Sequence, residues 1–94
     1  MVYLRRRQPG SEVLRRFEKI ARLLTGDEGA GADEGIAWVH QLCADLRIPP
    51  LRAYGIGESD VSALCEKAAS ASSMRGNPLS LTSGELREIL LAAL

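Results

Sequence analysis

LSLTSGELREILLAAL, residues Leu79 to Leu94, carries a helix-start signal in two parts. Thr82 is placed to accept from the N–H of Glu85, while the Glu85 carboxylate reaches back to the N–H of Thr82. Leu81, one residue before the cap, matches Leu86 at the fourth helical position, so a capping box and a hydrophobic staple coincide. Leu86, Ile89, Leu90 and Ala93 then recur at spacings of three and four, which predicts an amphipathic helix. The helix ends without a polar tail, and an apolar terminal helix is normally docked against something.

The same period recurs upstream. Ser11 and Glu12 open a segment in which Val13, Leu14, Phe17, Ile20, Ala21 and Leu24 share a helix face, closed near Gly26. Asp33 and Glu34 stand where a helix N-terminus favours negative charge, ahead of Ile36, Val39, Leu42, Cys43 and Leu46. Pro49 and Pro50 are predicted to stop this helix, since a residue before proline is pushed out of helical geometry. PPLRAYGIG, residues 49–57, reads as a compact connector with Leu51, Tyr54 and Ile56 pointing inward and Gly55 at positive φ. A third helix is predicted from around Gly57–Asp60, with Val61, Leu64, Cys65 and Ala68 as its narrow stripe. No alternating β-branched or aromatic run points to a strand. The expected fold class is all-α, with about four amphipathic helices and no internal repeat.

The breaks divide residues 1–94 into a single helical domain or domain fragment. Its basic start covers 1–10, a Gly-rich acidic loop 25–34, and a loop before the last helix 72–81. TGDEGAGADEG holds side chains too small to be ordered by burial, which predicts a mobile surface loop. A chain of this length buries roughly 60 to 65% of its unfolded surface, so its core is thin unless partner contacts add to it.

Twelve basic and twelve acidic side chains cancel, leaving no global field to recruit nucleic acid or anionic lipid. The basic residues cluster early, seven of them up to Arg22 against two acids. Arg5, Arg6, Arg7, Arg15 and Arg16 suit phosphate contact, yet no helix of base-reading polar residues follows, so a nucleic-acid-binding basic arm is the most distant reading. No apolar run reaches the roughly 18 residues of a membrane span. The start lacks the apolar core of a secretory signal, which makes a cytoplasmic setting the expectation.

Candidate chemistry is sparse. His40 is the one histidine, and Asp45 and Cys43 leave its helix in other directions, so a solvent-facing or structural histidine is favoured over a ligand or base. Cys43 and Cys65 lack metal-ligand spacing and read as small buried thiols rather than a disulfide or metal pair. GIGESD holds G-x-G without the third glycine or a preceding strand, so it reads as a turn. The serines have no assignable His-and-acid partners.

Taken together, the segment from Ala32 to Leu94 resembles the C-terminal part of the iron-containing alcohol dehydrogenases. That family ends with a helix, an "L-x-I-P…L-x-x-Y/F-G-V/I" connector, a helix closing in "SSMKGNP" or "TNPR", then "LT-x-x-E/D" and a terminal helix. These match Leu46–Pro49, Leu51–Ile56, Ser72–Pro78 and Leu81–Glu85. More loosely, VLRRFEKIARLLTG resembles "ERYAEIARALG", and VYLRRRQPG resembles "HVLRFNAPA", with Pro9 kept while Val2 and Arg7 replace the usual His and Asn.

The resemblance implies an all-helical domain beside an NAD(P)-binding domain, with a divalent metal such as iron held in the cleft by one Asp and three His. All four ligands belong to family sequence upstream of Met1, and His40 falls at a variable position. This chain is therefore expected to carry no catalytic, cofactor-binding or metal-binding residue of its own. The resemblance also implies that the loop with Gly76, Asn77 and Pro78 passes near the substrate side of the cleft, with Ser73 or Met74 nearest the chemistry. Leu79 replaces the Arg of the "NPR" subgroup. The expected function is a C-terminal helical fragment, not catalytic alone, that packs or self-associates, as a homodimer or with a complementary dehydrogenase domain. The alternative is part of a split or full-length NAD(P)- and metal-dependent alcohol dehydrogenase whose substrate cleft it completes.

Overall fold

A computed structural model describes residues 1–94 as helices without strands: α1 (Val2–Arg7), α2 (Glu12–Thr25), α3 (Ala32–Asp45), α4 (Val61–Ser70) and α5 (Ser83–Ala93). Short 3-10 turns occupy Leu51–Tyr54, Glu58–Asp60 and Ser72–Gly76. The all-α expectation holds, with four longer helices and the short α1. The chain groups into two compact units, Met1–Ile48 and Pro49–Leu94.

In the first unit, α2 begins where Ser11 Oγ accepts from the Leu14 N–H at 3.3 Å. It ends on Gly26, whose φ of 72° lets its N–H return to the Arg22 carbonyl. Ala21 and Gly35 lie in the seam between α2 and α3, where small residues let the two backbones approach. α1 is a helix the sequence reading did not assign. It buries Leu4, and Arg5 Nη1 donates to Asp33 Oδ2 at 2.9 Å in the first turn of α3. That hydrogen bond is the largest cause raising the Arg5 pKa, ahead of the opposing desolvation. A raised cationic pKa adds stability below its unfolded value and loses it only as pH climbs through the folded value, so Arg5 stays charged at neutral pH.

α2 runs to Thr25 and α3 starts at Ala32, so the connection lies within residues 25–34. Burial also contributes there, because Ala30 is buried and begins a buried pair with Ala32. Local bonds finish the turn: Asp27 Oδ1 accepts from Gly29 N–H at 2.8 Å and Glu34 Oε2 from Gly31 N–H at 2.9 Å. Gly31 has no side chain to return the second, so this is half of a capping box.

α3 ends before the prolines rather than at them. Arg47 adopts φ 55°, its N–H bonds to the Ala44 carbonyl and the Ile48 N–H to the Cys43 carbonyl, both at 3.0 Å. This pair of bonds is a Schellman closure with arginine where glycine is usual.

In the second unit, Gly55 has φ 83° as expected. Tyr54 does not point inward and is 68% exposed. The buried residues of that unit are Val61, Leu79 and Leu86. Asp60 Oδ2 accepts from Gly57 N–H at 2.9 Å, opening the turn that leads into α4. Val61, fully buried, anchors α4. At α5 the capping box is complete: Glu85 N–H donates to Thr82 Oγ1 at 3.2 Å and Thr82 N–H to Glu85 Oε1 at 2.8 Å.

Candidate functional site

The segment carrying the expected substrate-side residues is a 3-10 turn followed by extended backbone. Ala71 leaves α4 at ψ 133°, and Ser72–Gly76 coil once, the Met74 N–H reaching the Ala71 carbonyl at 3.1 Å and the Asn77 N–H the Met74 carbonyl at 3.2 Å. Asn77 returns to extended geometry at φ −68°, ψ 140°, which the following Pro78 favours. Leu79 is buried and ties the far end of the loop to the interior just before the α5 cap. The loop is thus held at both ends.

Its side chains are presented outward. Ser73, Gly76, Asn77 and Pro78 are exposed and Met74 is half-buried. Asn77 Nδ2 donates to Met74 Sδ at 2.7 Å, which fixes the carboxamide over the turn. A Cβ built on Gly76 meets nothing within 4 Å, and Gly76 does not sit at positive φ. Neither space nor backbone conformation within this chain therefore requires glycine there. A seryl hydroxyl and a carboxamide can orient a polar group, but nothing in the turn activates Ser73 as a nucleophile.

His40 stands apart from this loop in sequence and unit. It is exposed on α3 and borders an apolar groove of about 240 Å³ whose walls include Phe17, Ile20, Leu24, Ile36 and Val39. No group of three or more His, Cys, Asp or Glu converges as a metal-binding set. The donors present do not fit the nitrogen-rich centre that the resemblance implies, because one imidazole beside aliphatic walls supplies neither the count nor the charge. Cys43 and Cys65 are free and half-buried. Within the basic start and α2, Arg5, Arg15 and Arg22 are each paired with an acid, which leaves less charge for phosphates than the sequence count suggests.

Large apolar side chains lie exposed in both units. On α2, Leu23 is 76% exposed and Ile20 is open as well. α3 shows Trp38, Leu42 and Leu46, spaced four apart along one line, with Val39 beside the groove. Leu42 and Leu46 were legible as spacing, but Trp38 was not among the residues the period picked out, and whether the line is covered was not legible. No helix is long and apolar enough to cross a membrane.

The model of the Fe-containing alcohol dehydrogenase family, C-terminal, matches residues 4–94. No curated protein and no solved structure matches the chain at a significant level.

Proposed function

The chain belongs to the Fe-containing alcohol dehydrogenase family by a match to that family's C-terminal region, and from this membership we propose that it is a helical packing module, not catalytic by itself. The carrying observation is the apolar surface of α2 and α3, where Ile20, Leu23, Trp38, Leu42 and Leu46 remain exposed. A helix that is apolar on more than one stripe is a helix built to be covered on more than one side. The cover is a second copy of the chain or a complementary dehydrogenase domain. Calorimetric titration with NADH, NADPH and ferrous or zinc ions tests the non-catalytic half of this reading. No saturable heat is expected, because the phosphate-cradling turn and the metal ligands are not among these residues. A saturable micromolar signal would overturn it.

A second reading has its own support: the module completes the substrate side of an NAD(P)- and metal-dependent alcohol dehydrogenase through Ser73, Met74, Gly76, Asn77 and Pro78. Gly76 favours it, since the space beside that residue is open and its φ is ordinary. A missing side chain that the chain's own packing does not require suits close approach by something outside the chain. Co-expression with a nucleotide-binding domain of the family tests this. Alcohol-dependent reduction of NAD(P) is expected only in the reconstituted pair, and Gly76→Val should lower it without moving the urea midpoint of the isolated chain. Equal activity with and without this chain defeats the second reading.

A further inference from the structure

We propose that the cleft between α4 and α5 binds a small zwitterion, a molecule carrying an ammonium and a carboxylate a few bonds apart, as an α-amino acid does. The cleft is an open surface groove of about 440 Å³, lined by Ser62, Cys65, Glu66 and Ala69 from α4 and by Ser83 and Arg87 from α5. That volume is within the range of small-molecule sites.

Its polar lining is unspent. Glu66 and Arg87 border the same space from opposite helices, yet no ion pair joins them, although Arg52 and Glu58 of the same unit do approach to 4.0 Å. The hydroxyls of Ser62 and Ser83 flank the two charges, and the structure gives neither hydroxyl a protein partner. One cation, one anion and two hydroxyls around one open cleft match a ligand with both charges better than a ligand with either. The carboxylate would lie on the Arg87 guanidinium, whose fork suits two parallel hydrogen bonds, and the ammonium on Glu66. The inference does not rest on the packing role proposed above, since these residues lie outside the apolar surface of α2 and α3.

The test is an amide chemical-shift titration of the whole chain with glycine as probe, run beside acetate and methylammonium. The expected result is saturable shifts in the millimolar range, confined to Ser62–Ala69 and Ser83–Arg87. Affinity for either half-ligand should be roughly tenfold weaker or less, because each loses one charge-assisted bond. Arg87→Gln and Glu66→Gln should each abolish the preference for glycine while leaving the spectrum folded. The proposal is overturned by absent saturation, by acetate matching glycine, or by either variant keeping the preference. It is also overturned if both variants lower the thermal midpoint and the unmodified chain shows no glycine-dependent shift, since Glu66 and Arg87 would then be a structural pair.

Discussion

Gly35 and Ala21 are in such close contact that a Cβ built on Gly35 would lie 2.7 Å from the Ala21 Cβ and 3.0 Å from its Cα. Ala21 is itself only 1% exposed, so neither partner has room to retreat without moving a helix. Gly35→Ala is therefore expected to destabilise the α2–α3 pair. Overpacking costs about 1 to 3 kcal/mol, against a helix-propensity gain of up to about 1 kcal/mol for replacing glycine. Urea unfolding measures the balance. An unchanged or raised midpoint would mean that the helices separate freely at this crossing.

Thr82→Ala with Glu85→Ala should loosen α5, because the double change removes both reciprocal bonds of its cap. Each such interaction contributes roughly 0.5 to 2 kcal/mol. In a small domain, that is a sizeable share of total stability. A urea midpoint equal to that of the unmodified chain would show that water replaces the cap at no cost.

The features legible in sequence are those decided by neighbours along the chain. Ser11, Gly26, Gly55, Thr82 and Glu85 act within a few residues of themselves, and each does what its type and spacing predict. Features decided by distant contacts were not legible. Burial of Ala30 and exposure of Tyr54 are set by tertiary packing, and the α1 turn depends on Leu4 and on Asp33 far ahead in sequence. Spacing picked out Leu42 and Leu46 on α3 but not their exposure, since periodicity marks a face without saying what lies over it. The expected substrate-side loop came from family resemblance alone. Its 3-10 turn and the Asn77–Met74 bond had no local signature.

Arg47→Gly is expected to stabilise the chain. Arg47 holds φ 55° at the end of α3, where a side chain costs about 1 kcal/mol or more and glycine is free of that penalty. Two smaller terms oppose the gain. Glycine loses more freedom on folding, and a cation near a helix C-terminus contributes about 0.3 to 1 kcal/mol. The net expectation is a small rise, of up to about 1 kcal/mol, in urea unfolding. Arg47→Val serves as the control and should destabilise, because β-branched residues tolerate positive φ least. A Val variant as stable as the Gly variant would show that the left-handed turn is not held in solution.

The isolated chain is expected to self-associate through the uncovered side chains of α2 and α3. Ile20, Leu23, Trp38, Leu42 and Leu46 are between 39% and 76% exposed, so covering each would contribute only the still-exposed share of the roughly 1.5 to 3 kcal/mol that burying a whole such side chain is worth. The opposing term is the association entropy, which needs several such side chains to act together rather than one. Pairing about a two-fold axis satisfies this with one surface used twice, and it is the commonest closed arrangement. Light scattering coupled to size exclusion at micromolar concentration is expected to give a dimer mass. Leu23→Glu together with Leu42→Glu should return the chain to a monomer while leaving its helical circular dichroism unchanged, because both positions lie outside the α2–α3 seam made by Ala21 and Gly35. A monomer mass for the unmodified chain, without binding of a hydrophobic dye, rules out the dimer and shows that the exposed apolar surface needs no cover.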